Sequence, residues 1–420
     1  MPRTHFGTDG VRGIVGEKIT PELVERLGKA AALWSGRGRV FVGRDTRGSG
    51  PELEDALARG IVSAGGAAVL GGVLPTPAVA LLALDLGAVI SASHNPPEYN
   101  GVKLFDRDGH KLTDEQEEEI EALFDASTPG GGEIDHVEVA MDSYLEHVVE
   151  RFGSDLAGLK IAVDCANGAY SEIAPKAFEL LGARVWPVAV DPDGTNINVG
   201  CGATDMRLLQ EVVVDKQLDL GVAFDGDGDR MLAVDANGNP VDGDQIVAIL
   251  ALHLGVDLVA VTVMSNLGLH QLLRDRGIEV VTTAVGDRYV LEALRERQGL
   301  LGGEQSGHII YLKDHVTGDG LASALLLCGA LDGRSLAEAA AVMHRYPQVK
   351  ENLPLPAKGL PKALEEDVTQ LNEQLDGSAR VLVRPSGTEP VIRLLAEAPT
   401  EAEARDLCGR IAALVTRELG

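Results

Sequence analysis

The stretch RVFVGRD (residues 39–45) decides the fold, because its pattern returns at LKIAVDC (residues 159–165) and at LVAVTVM (residues 258–264). Each stretch is an apolar run rich in β-branched residues, followed by a polar or glycine-rich loop, a helical segment, a glycine and a second apolar run. Apolar runs without polar interruptions are typical of strands buried on both faces, as in parallel sheets. The alternation of strand and helix indicates βαβ units. The sequence therefore predicts three related α/β domains with mixed or parallel sheets.

The crossover helices of these units are expected at residues 51–64, 172–181 and 269–276. From about residue 347 the pattern changes to a strand, a helix, two short strands and a final helix, which is typical of a smaller α+β domain. Candidate linkers rich in proline and glycine lie at residues 127–132 and 346–360. We therefore predict four domains, at residues 1–143, 144–243, 244–346 and 347–420.

The composition limits the classes of ligand. The chain has 420 residues, of which 45% are hydrophobic and 24% charged, a balance that excludes bulk disorder. The 37 Lys and Arg residues against 64 Asp and Glu residues give a net charge of −27. A surface this acidic repels phosphodiester backbones, so we expect no nucleic-acid partner. An anionic ligand would require a local basic cluster.

The sequence also predicts a cytoplasmic protein without a membrane segment. The most apolar stretch, residues 246–263, is interrupted by His253 and Asp257 and is better interpreted as a buried helix followed by a strand. The first ten residues lack the apolar region of an export signal. The four cysteines are scattered with no CxxC pair, which argues against a zinc site or a disulfide framework and fits a reducing compartment.

A run rich in glutamate at residues 114–121 follows Thr113, with Gln116 three positions later. This spacing is a capping box that begins a helix. We interpret the run as a solvated helix face without a functional role.

The first polar cluster that could carry chemistry is SASHNPPEYNGVKLF (residues 91–105), which follows a predicted strand. A double proline stiffens the loop and an Asn-Gly pair turns it back. A rigid loop of this kind could present Ser93 as a nucleophile beside His94. The alternative is a capped turn with an ordinary serine.

The second cluster is DGDGDR (residues 225–230), which directly follows the apolar run LGVAF. Its three aspartates alternate with glycines, so the backbone can curl and bring the carboxylates onto one cation. Oxygen-only ligands favour Mg²⁺ or Ca²⁺ over zinc. The alternative, a turn with solvated carboxylates, leaves three acids that repel one another.

The third and fourth clusters offer groups for a sugar and a phosphate. In GGEQSGHI (residues 302–309), Glu304 and Ser306 could point the same way and provide an acceptor and a donor for neighbouring hydroxyls. In RPSGTEPVIR (residues 384–393), two arginines, two hydroxyls and loop N–H groups resemble a phosphate cradle. The alternatives are a satisfied polar turn and a type I turn with surface arginines.

Taken in order, five motifs resemble the signatures of the α-D-phosphohexomutase family. FGTDGVRG and GEQSGH, together with VGDRYV, resemble in particular the phosphoglucosamine mutases of bacteria. The resemblance spans nearly the whole chain. Its motifs are FGTDGVRG (residues 6–13), ASHNP (92–96), DGDGDR (225–230), GEQSGH (303–308), RPSGTEP (384–390) and the accompanying VGDRYV (285–290).

The resemblance implies four domains around a central cleft and a phosphoryl group that moves between O6 and O1 of a hexosamine. Ser93 would carry it as phosphoserine, and a hexosamine 1,6-bisphosphate would serve as intermediate or activator. The product would feed the synthesis of amino-sugar nucleotides and cell-wall precursors. One Mg²⁺ per chain would be held by Ser93, Asp225, Asp227 and Asp229.

The resemblance also assigns roles to other side chains of the motifs. Lys103 would be a general acid or base, Arg12 would polarise the reacting oxygens, and His94 and Arg230 would complete the catalytic set. The non-reacting phosphate would lie against the fourth cluster. Substrate-binding residues would be Glu304, Ser306, His308, Arg288, Arg384, Ser386, Gly387, Thr388 and Arg393.

Three alternatives remain open from the sequence. A phosphomannomutase or phosphoglucomutase of the same family would use the same chemistry on another sugar. A non-catalytic sensor of sugar phosphates could keep the scaffold, although it would have no need of Ser93. A phosphatase with an aspartyl nucleophile would require a DxDGT pattern, which DGDGDR lacks. The resemblance implies a small sugar phosphate as the partner and allows a homodimer.

Overall fold

A computed structural model describes residues 4–7, 9–128, 130–354, 360–385 and 391–419. The described residues form two compact units. The first unit contains three sheets, and the second contains the C-terminal sheet within the described part of the chain. The first unit comprises Met1–Met264 and Ile278–Val342, and the second comprises Ser265–Gly277 and Met343–Gly420.

The first sheet is built from the N-terminal part of the chain. Its strands and helices are β1 (Val11–Ile14), α1 (Pro21–Trp34), β2 (Arg39–Arg44), α2 (Gly50–Ser63), β3 (Ala67–Val73), α3 (Thr76–Leu81), β4 (Leu86–Ile90), β5 (Tyr99–Asp106), α4 (Asp114–Glu121) and β6 (Glu133–His136). The strand order is β1-β5-β4-β2-β3-β6. Strand β2 is parallel to β3 and β4, whereas β5 is antiparallel to β4 and β1. The loop with Ser93 therefore follows the carboxyl end of a central strand, β4.

The second sheet repeats this plan. Its elements are α5 (Ala140–Phe152), β7 (Lys160–Asp164), α6 (Ile173–Leu180), β8 (Arg184–Val188), α7 (Arg207–Lys216), β9 (Leu220–Phe224), β10 (Met231–Asp235) and β11 (Pro240–Val241). The order is β11-β10-β9-β7-β8, with β7 parallel to β8 and β9 and with β10 antiparallel to β9. Residues 225–230 form the turn from β9 to β10.

The third part of the chain has a smaller sheet of the same type. Its elements are α8 (Gly243–Leu254), β12 (Leu258–Thr262), α9 (Leu267–Asp275), β13 (Glu279–Thr283), α10 (Asp287–Arg297), β14 (Leu301–Gly303), β15 (Ile309–Tyr311), α11 (Gly320–Leu331) and α12 (Leu336–Ala340). The order is β13-β12-β14-β15, and β12 is parallel to β13 and β14. The Glu304 loop turns β14 into the antiparallel β15.

The second unit combines α9 with an antiparallel sheet. Its remaining elements are β16 (Gln348–Pro354), α13 (Lys362–Leu375), β17 (Arg380–Pro385), β18 (Val391–Glu397) and α14 (Glu401–Leu419). The strand order is β16-β18-β17. Its own apolar core includes Leu364, Ile392 and Ile411, all of them fully buried.

The predicted fold class is confirmed, with mixed or parallel α/β sheets and a smaller α+β part. Helices α2, α6 and α9 begin and end within two residues of the expected bounds. Residues 246–263 do form a buried helix and a strand. Strand β16 occupies much of the candidate linker at residues 346–360. The cysteines, all of them described, are buried and unpaired.

In the part of the chain that the structure describes, we find no helix with both the length and the apolar character to traverse a bilayer.

The acidic helix α4 departs from the sequence interpretation. Its capping box is present, with Thr113 and Gln116 bonded as expected. However, Glu117 is only 3% exposed and Glu121 accepts backbone N–H groups from His5 and Phe6. The interpretation of the whole run as a solvated face was therefore wrong, because a helix can present acids to buried partners that are distant in sequence.

Candidate active site

Ser93 lies at the centre of the site, in the loop that follows β4. Its side chain is 1% exposed and its φ angle is +51°, in the left-handed region that non-glycine residues seldom adopt. The hydroxyl donates to Asp225 Oδ2 at 2.6 Å and lies 3.2 Å from His94 Nδ1. The predicted nucleophile and the predicted metal loop are therefore in direct contact.

A fully buried arginine that the sequence interpretation missed holds the Ser93 loop. Arg47 donates to the carbonyl oxygens of Ser93 at 2.8 Å and Asn95 at 2.9 Å, and it pairs with Asp45 at 2.9 Å. Asp45 also accepts the hydroxyl of Ser91, which in turn accepts the N–H of Ser93. These charge-assisted bonds fix the loop in its strained conformation.

A second clamp on this loop comes from the segment after β8. The amide of Asn198 donates to the carbonyl oxygens of Ser93 at 2.9 Å and Asn95 at 3.2 Å. Within the part of the chain that the structure describes, its Oδ1 atom is buried and meets no hydrogen-bond partner. A Cβ atom on Gly226 would come within 2.9 Å of the Asn198 amide nitrogen. Asn198 therefore lies between the Ser93 loop and the DGDGDR loop.

The three aspartates of DGDGDR converge as predicted. Asp225 and Asp227 are 0% exposed and Asp229 is 4% exposed, and one ligand atom from each lies within 4.8 Å of the others. Burial, followed by the charges of Asp229 and Asp227, raises the pKa of Asp225 well above its usual value. Asp227 Oδ1 is buried and has no hydrogen-bond partner among the described residues. This set of oxygen donors fits a hard divalent cation.

Lys103 supplies a buried positive charge beside this cluster. Its ammonium group donates to Asp227 Oδ2 at 2.9 Å and to Asp229 Oδ2 at 3.2 Å, and it lies 3.3 Å from Asp9 Oδ2. Burial alone would lower the pKa of Lys103, but these three carboxylates raise it well above its usual value. Lys103 is therefore a fixed positive charge beside the three carboxylates.

A further chain of charges joins the first and third sheets. Lys111 bonds to Asp9 Oδ1 at 2.7 Å and also pairs with Asp287. His308 lies 3.6 Å from Asp287 and 3.8 Å from Asp229. Burial alone would lower the pKa of His308, but these two carboxylates raise it. Asp9 and Asp287 lie within motifs that the sequence analysis identified, whereas Lys111 belongs to none of these motifs.

A cavity of about 190 Å³ opens beside these groups. Burial and the charges of Arg230 and Arg12 lower the pKa of His94 to about 4, so this ring is neutral at neutral pH. Both arginines face carboxylates, Arg12 at 3.5 Å from Asp9 and Arg230 at 3.8 Å from Asp229. The lining brings together seven of the twelve predicted residues of the first unit: Arg12, His94, Asp229, Arg230, Arg288, Glu304 and His308.

The Glu304 loop forms one wall of this cavity. Glu304 is 9% exposed, accepts the Gly286 N–H at 3.1 Å and accepts the Ser306 hydroxyl at 3.2 Å. The two side chains thus point the same way, as the spacing predicted. The neighbouring Tyr289 is 41% exposed. The wall therefore offers polar atoms and one aromatic ring to a ligand.

Arg288 also lines the cavity, but two acids of α4 engage its guanidinium group. It donates to Glu117 Oε1 at 2.9 Å and pairs with Asp114. Direct contact between Arg288 and a substrate thus stays a prediction. The structure gives the acidic helix a part in the site that its composition did not reveal.

The predicted phosphate loop belongs to the second unit. Arg384 and Arg393 are directly opposed across β17 and β18. Burial and the charge of Arg393 lower the pKa of Arg384. An anion between these two cations would relieve their repulsion. The other predicted residues of this loop, Ser386, Gly387 and Thr388, lie outside the described residues.

Comparison with known families gives matches in four consecutive segments. All four models describe the phosphoglucomutase/phosphomannomutase family. They match alpha/beta/alpha domain I at residues 3–130, alpha/beta/alpha domain II at 142–238, alpha/beta/alpha domain III at 242–346 and the C-terminal domain at 336–414.

Curated relatives are similar over nearly their full length. A phosphoglucosamine mutase of Moorella thermoacetica is 50% identical, with 96% of this chain and 97% of that protein covered. A phosphoglucosamine mutase of Pelotomaculum thermopropionicum is 47% identical, with 98% of each covered.

Solved structures agree on the fold. A phosphoglucomutase/phosphomannomutase family protein from Burkholderia thailandensis has a TM-score of 0.86 at 25% identity, covering 99% of this chain and 98% of that one. An Aspergillus fumigatus N-acetylphosphoglucosamine mutase, solved with GlcNAc-6P and magnesium, has a TM-score of 0.70 at 18% identity, covering 99% and 96%. From the sequence identities together with the matched domains, the chain belongs to the α-D-phosphohexomutase family and, within it, to the phosphoglucosamine mutases, which are isomerase-class phosphotransferases.

Proposed function

We propose that the chain interconverts glucosamine 6-phosphate and glucosamine 1-phosphate, for the synthesis of amino-sugar nucleotides and cell-wall precursors. The observation that carries the proposal is the contact between Ser93 and the acidic cluster, with the hydroxyl 2.6 Å from Asp225. A serine in this position can carry a phosphoryl group beside a divalent cation. The relatives named phosphoglucosamine mutase support the choice of an amino sugar.

The reaction consists of two phosphoryl transfers in opposite directions. In the first, the bond between phosphorus and Ser93 Oγ breaks while a bond to O1 of glucosamine 6-phosphate forms; the O1 proton leaves and Ser93 Oγ takes a proton. The hexosamine 1,6-bisphosphate then turns around in the site. In the second transfer, the bond between phosphorus and O6 breaks while a bond to Ser93 Oγ forms; the Ser93 hydroxyl proton leaves and O6 takes a proton. The product is glucosamine 1-phosphate, and the enzyme returns to its phosphoserine form.

Asp225, Asp227, Asp229 and an oxygen on Ser93 would hold one Mg²⁺ per chain. When bound, this cation neutralises charge on the transferring phosphoryl group, which is the main requirement of such reactions. Lys103 adds a fixed positive charge beside Asp227 and would serve as the general acid or base toward the leaving oxygen.

Other side chains of the cavity bind and orient. Arg12 and Arg230 bring positive charge to the phosphoryl oxygens, and the neutral ring of His94 accepts or donates a hydrogen bond at Ser93. In preorganised sites, charges that are already oriented stabilise the transition state without reorganisation. These residues therefore form the catalytic set together with Ser93 and Lys103.

The sugar hydroxyls would bind to Glu304, Ser306 and His308, with Arg288 next to them. The N–H of Gly286 bonds one carboxylate oxygen of Glu304 and the Ser306 hydroxyl bonds the other, so the orientation of the carboxylate is fixed. The phosphate that does not react would bind at Arg384 and Arg393. The loop between these arginines, with Ser386, Gly387 and Thr388, would add hydroxyl and N–H donors.

The wider setting is also part of the proposal. We place the domain boundaries after residues 143, 243 and 346, so that each domain contributes one functional loop. The buried, unpaired cysteines support a cytoplasmic location, and the net charge of −27 disfavours nucleic acid. The partner would be a small sugar phosphate, and the protein could act as a homodimer.

The test compares three substrates on purified protein with Mg²⁺. Turnover should be fastest with glucosamine 6-phosphate and slower with the 6-phosphates of glucose and mannose. Intact-mass analysis should detect a fraction heavier by one phosphate, and peptide mapping should locate it at Ser93. A preference for mannose or glucose 6-phosphate would instead identify the chain as a phosphomannomutase or phosphoglucomutase. Absence of turnover on all three would leave a sensor.

A further inference from the structure

Two buried tyrosines and a buried aspartate form a polar cluster next to the acidic loop. Tyr144 and Tyr170 are 0% exposed and Asp319 is 2% exposed. The hydroxyl of Tyr144 donates to Asp319 Oδ2 at 2.8 Å, and that of Tyr170 donates to Oδ1 at 2.9 Å. The hydroxyl oxygens are 2.7 Å apart. We call these three residues the Tyr-Asp cluster. None of them lines the candidate cavity.

The Tyr-Asp cluster determines where helix α11 begins. Asp319 is the N-cap residue, and its Oδ1 accepts the Ala322 N–H at 2.9 Å. His315 Nε2 lies 3.0 Å from Asp319 Oδ2. The first helical residue, Gly320, uses its N–H to bond the carbonyl oxygen of Gly228 at 3.0 Å. The start of α11 therefore binds the backbone of the DGDGDR loop directly.

The ring of Tyr170 supports the same loop from another side. Gly228 has a φ angle of +78°, and a Cβ atom there would clash with the Tyr170 ring. The ring also packs edge-on against Phe224, the residue before Asp225, with centroids 4.8 Å apart. The N–H of Ala169 donates to the Gly226 carbonyl at 2.9 Å. The two glycines on either side of Asp227 are thus held by groups that the cluster orders.

Burying three polar side chains is costly unless each finds its partners. Three donors bond to the Asp319 carboxylate, namely the two tyrosine hydroxyls and the Ala322 N–H, and His315 lies beside it, so the carboxylate is held from several sides. Hydrogen bonds add directionality to this packing, because they depend on the geometry of donor and acceptor.

We propose that Tyr144, Tyr170 and Asp319 are positioning residues that fix the backbone of residues 226–228, and thereby the spacing of the three carboxylates that hold the divalent cation. The inference rests on the metal site of the proposed function. Removing one hydroxyl leaves the rings packed but loosens the loop. The expected consequence is weaker metal affinity rather than weaker sugar binding.

The test uses the variants Tyr170→Phe and Tyr144→Phe. Mn²⁺ serves as the probe, and the electron paramagnetic resonance signal of unbound Mn²⁺ measures how much of it is free. Each variant should bind Mn²⁺ about fivefold more weakly, the factor that corresponds to one ordinary hydrogen bond. The double variant should lose less than the product of the two factors, because the hydroxyls belong to one network. At saturating metal, the KM for the sugar phosphate should equal that of the wild type.

The matched control is Tyr346→Phe, which removes a hydroxyl that donates to Gln271 Oε1 at 3.0 Å in the second unit. Its Mn²⁺ affinity should be unchanged. Asp319→Asn provides a further variant, since asparagine can still cap the helix. Unchanged Mn²⁺ affinity in both cluster variants, with a lowered unfolding temperature, would overturn the inference and leave the metal site standing. A wild type that binds no Mn²⁺ would overturn the metal site and the inference together.

Discussion

Asn198 offers a sharp test of how Ser93 is held. The substitution Asn198→Gly removes the amide that bonds the carbonyl oxygens of Ser93 and Asn95. The φ angle of Asn198 is +60°, a conformation that glycine adopts without strain. The effect therefore comes from the lost side chain and not from a distorted backbone.

The size of the effect follows from the two hydrogen bonds. At about 0.5–1.5 kcal/mol each, they contribute roughly 1–3 kcal/mol. If this energy were lost entirely from the transition state, kcat would fall between about 5- and 150-fold. Arg47 still holds the same carbonyl oxygens, so we expect a value near the lower end, about tenfold. Asn198 does not line the cavity, so KM should stay unchanged.

The assay measures kcat and KM for glucosamine 6-phosphate, together with the unfolding temperature. The matched control is Asn196→Gly, two residues away in the same segment, where the side chain bonds Asp191 and not the Ser93 loop. It introduces the same backbone freedom and should keep its kcat. A tenfold loss in the control as well, or a rise in KM with kcat intact, would refute the reasoning.

Three further substitutions test the assigned roles. Ser93→Ala should abolish turnover and the protein species heavier by one phosphate, while the circular dichroism spectrum stays that of the wild type. Activity equal to that of the wild type would contradict the role of Ser93 as phosphoryl carrier. Asp227→Asn removes one negative charge from the metal cluster, so the variant should need at least about tenfold more Mg²⁺ for half-maximal rate, whereas an unchanged Mg²⁺ titration would argue against the metal role. Arg393→Ala should slow transfer from labelled phosphoserine to both monophosphates about ten- to a hundred-fold without changing loss of label to water, and equal losses in transfer and hydrolysis would point to another function for this arginine.

The strands and the loops that carry the site could be predicted because their signals are local. Uninterrupted apolar runs place β4 and β9 in the middle of their sheets. The carboxyl ends of such strands are where ligand loops lie in α/β proteins. The contact between Ser93 and Asp225, 132 residues apart in sequence, was implied only by the family resemblance, because their strands belong to different sheets.

The supporting residues could not be predicted, because their role exists only in three dimensions. Lys111 stands just before an acidic run and meets Asp287, which is 176 residues away. Glu117 has the composition of a solvated helix face, yet Arg288 buries it. Arg47 resembles any surface arginine in a polar loop, but its side chain is fully buried. A single sequence predicts where a helix lies and which of its residues share a face. It does not predict which distant residues pack against that face.

The acidic character of the chain is part of how the site binds anions. Lys103 and Lys111 are almost fully buried, and unpaired buried ammonium groups would carry a large desolvation cost. Asp9 lies against both, at 3.3 Å and 2.7 Å, and holds them in place before a substrate arrives. We expect these cations to keep their positions when a phosphate enters the cavity beside Asp9. The carboxylates thus position the basic groups, and removing Asp9 would weaken phosphate binding although it makes the site more positive.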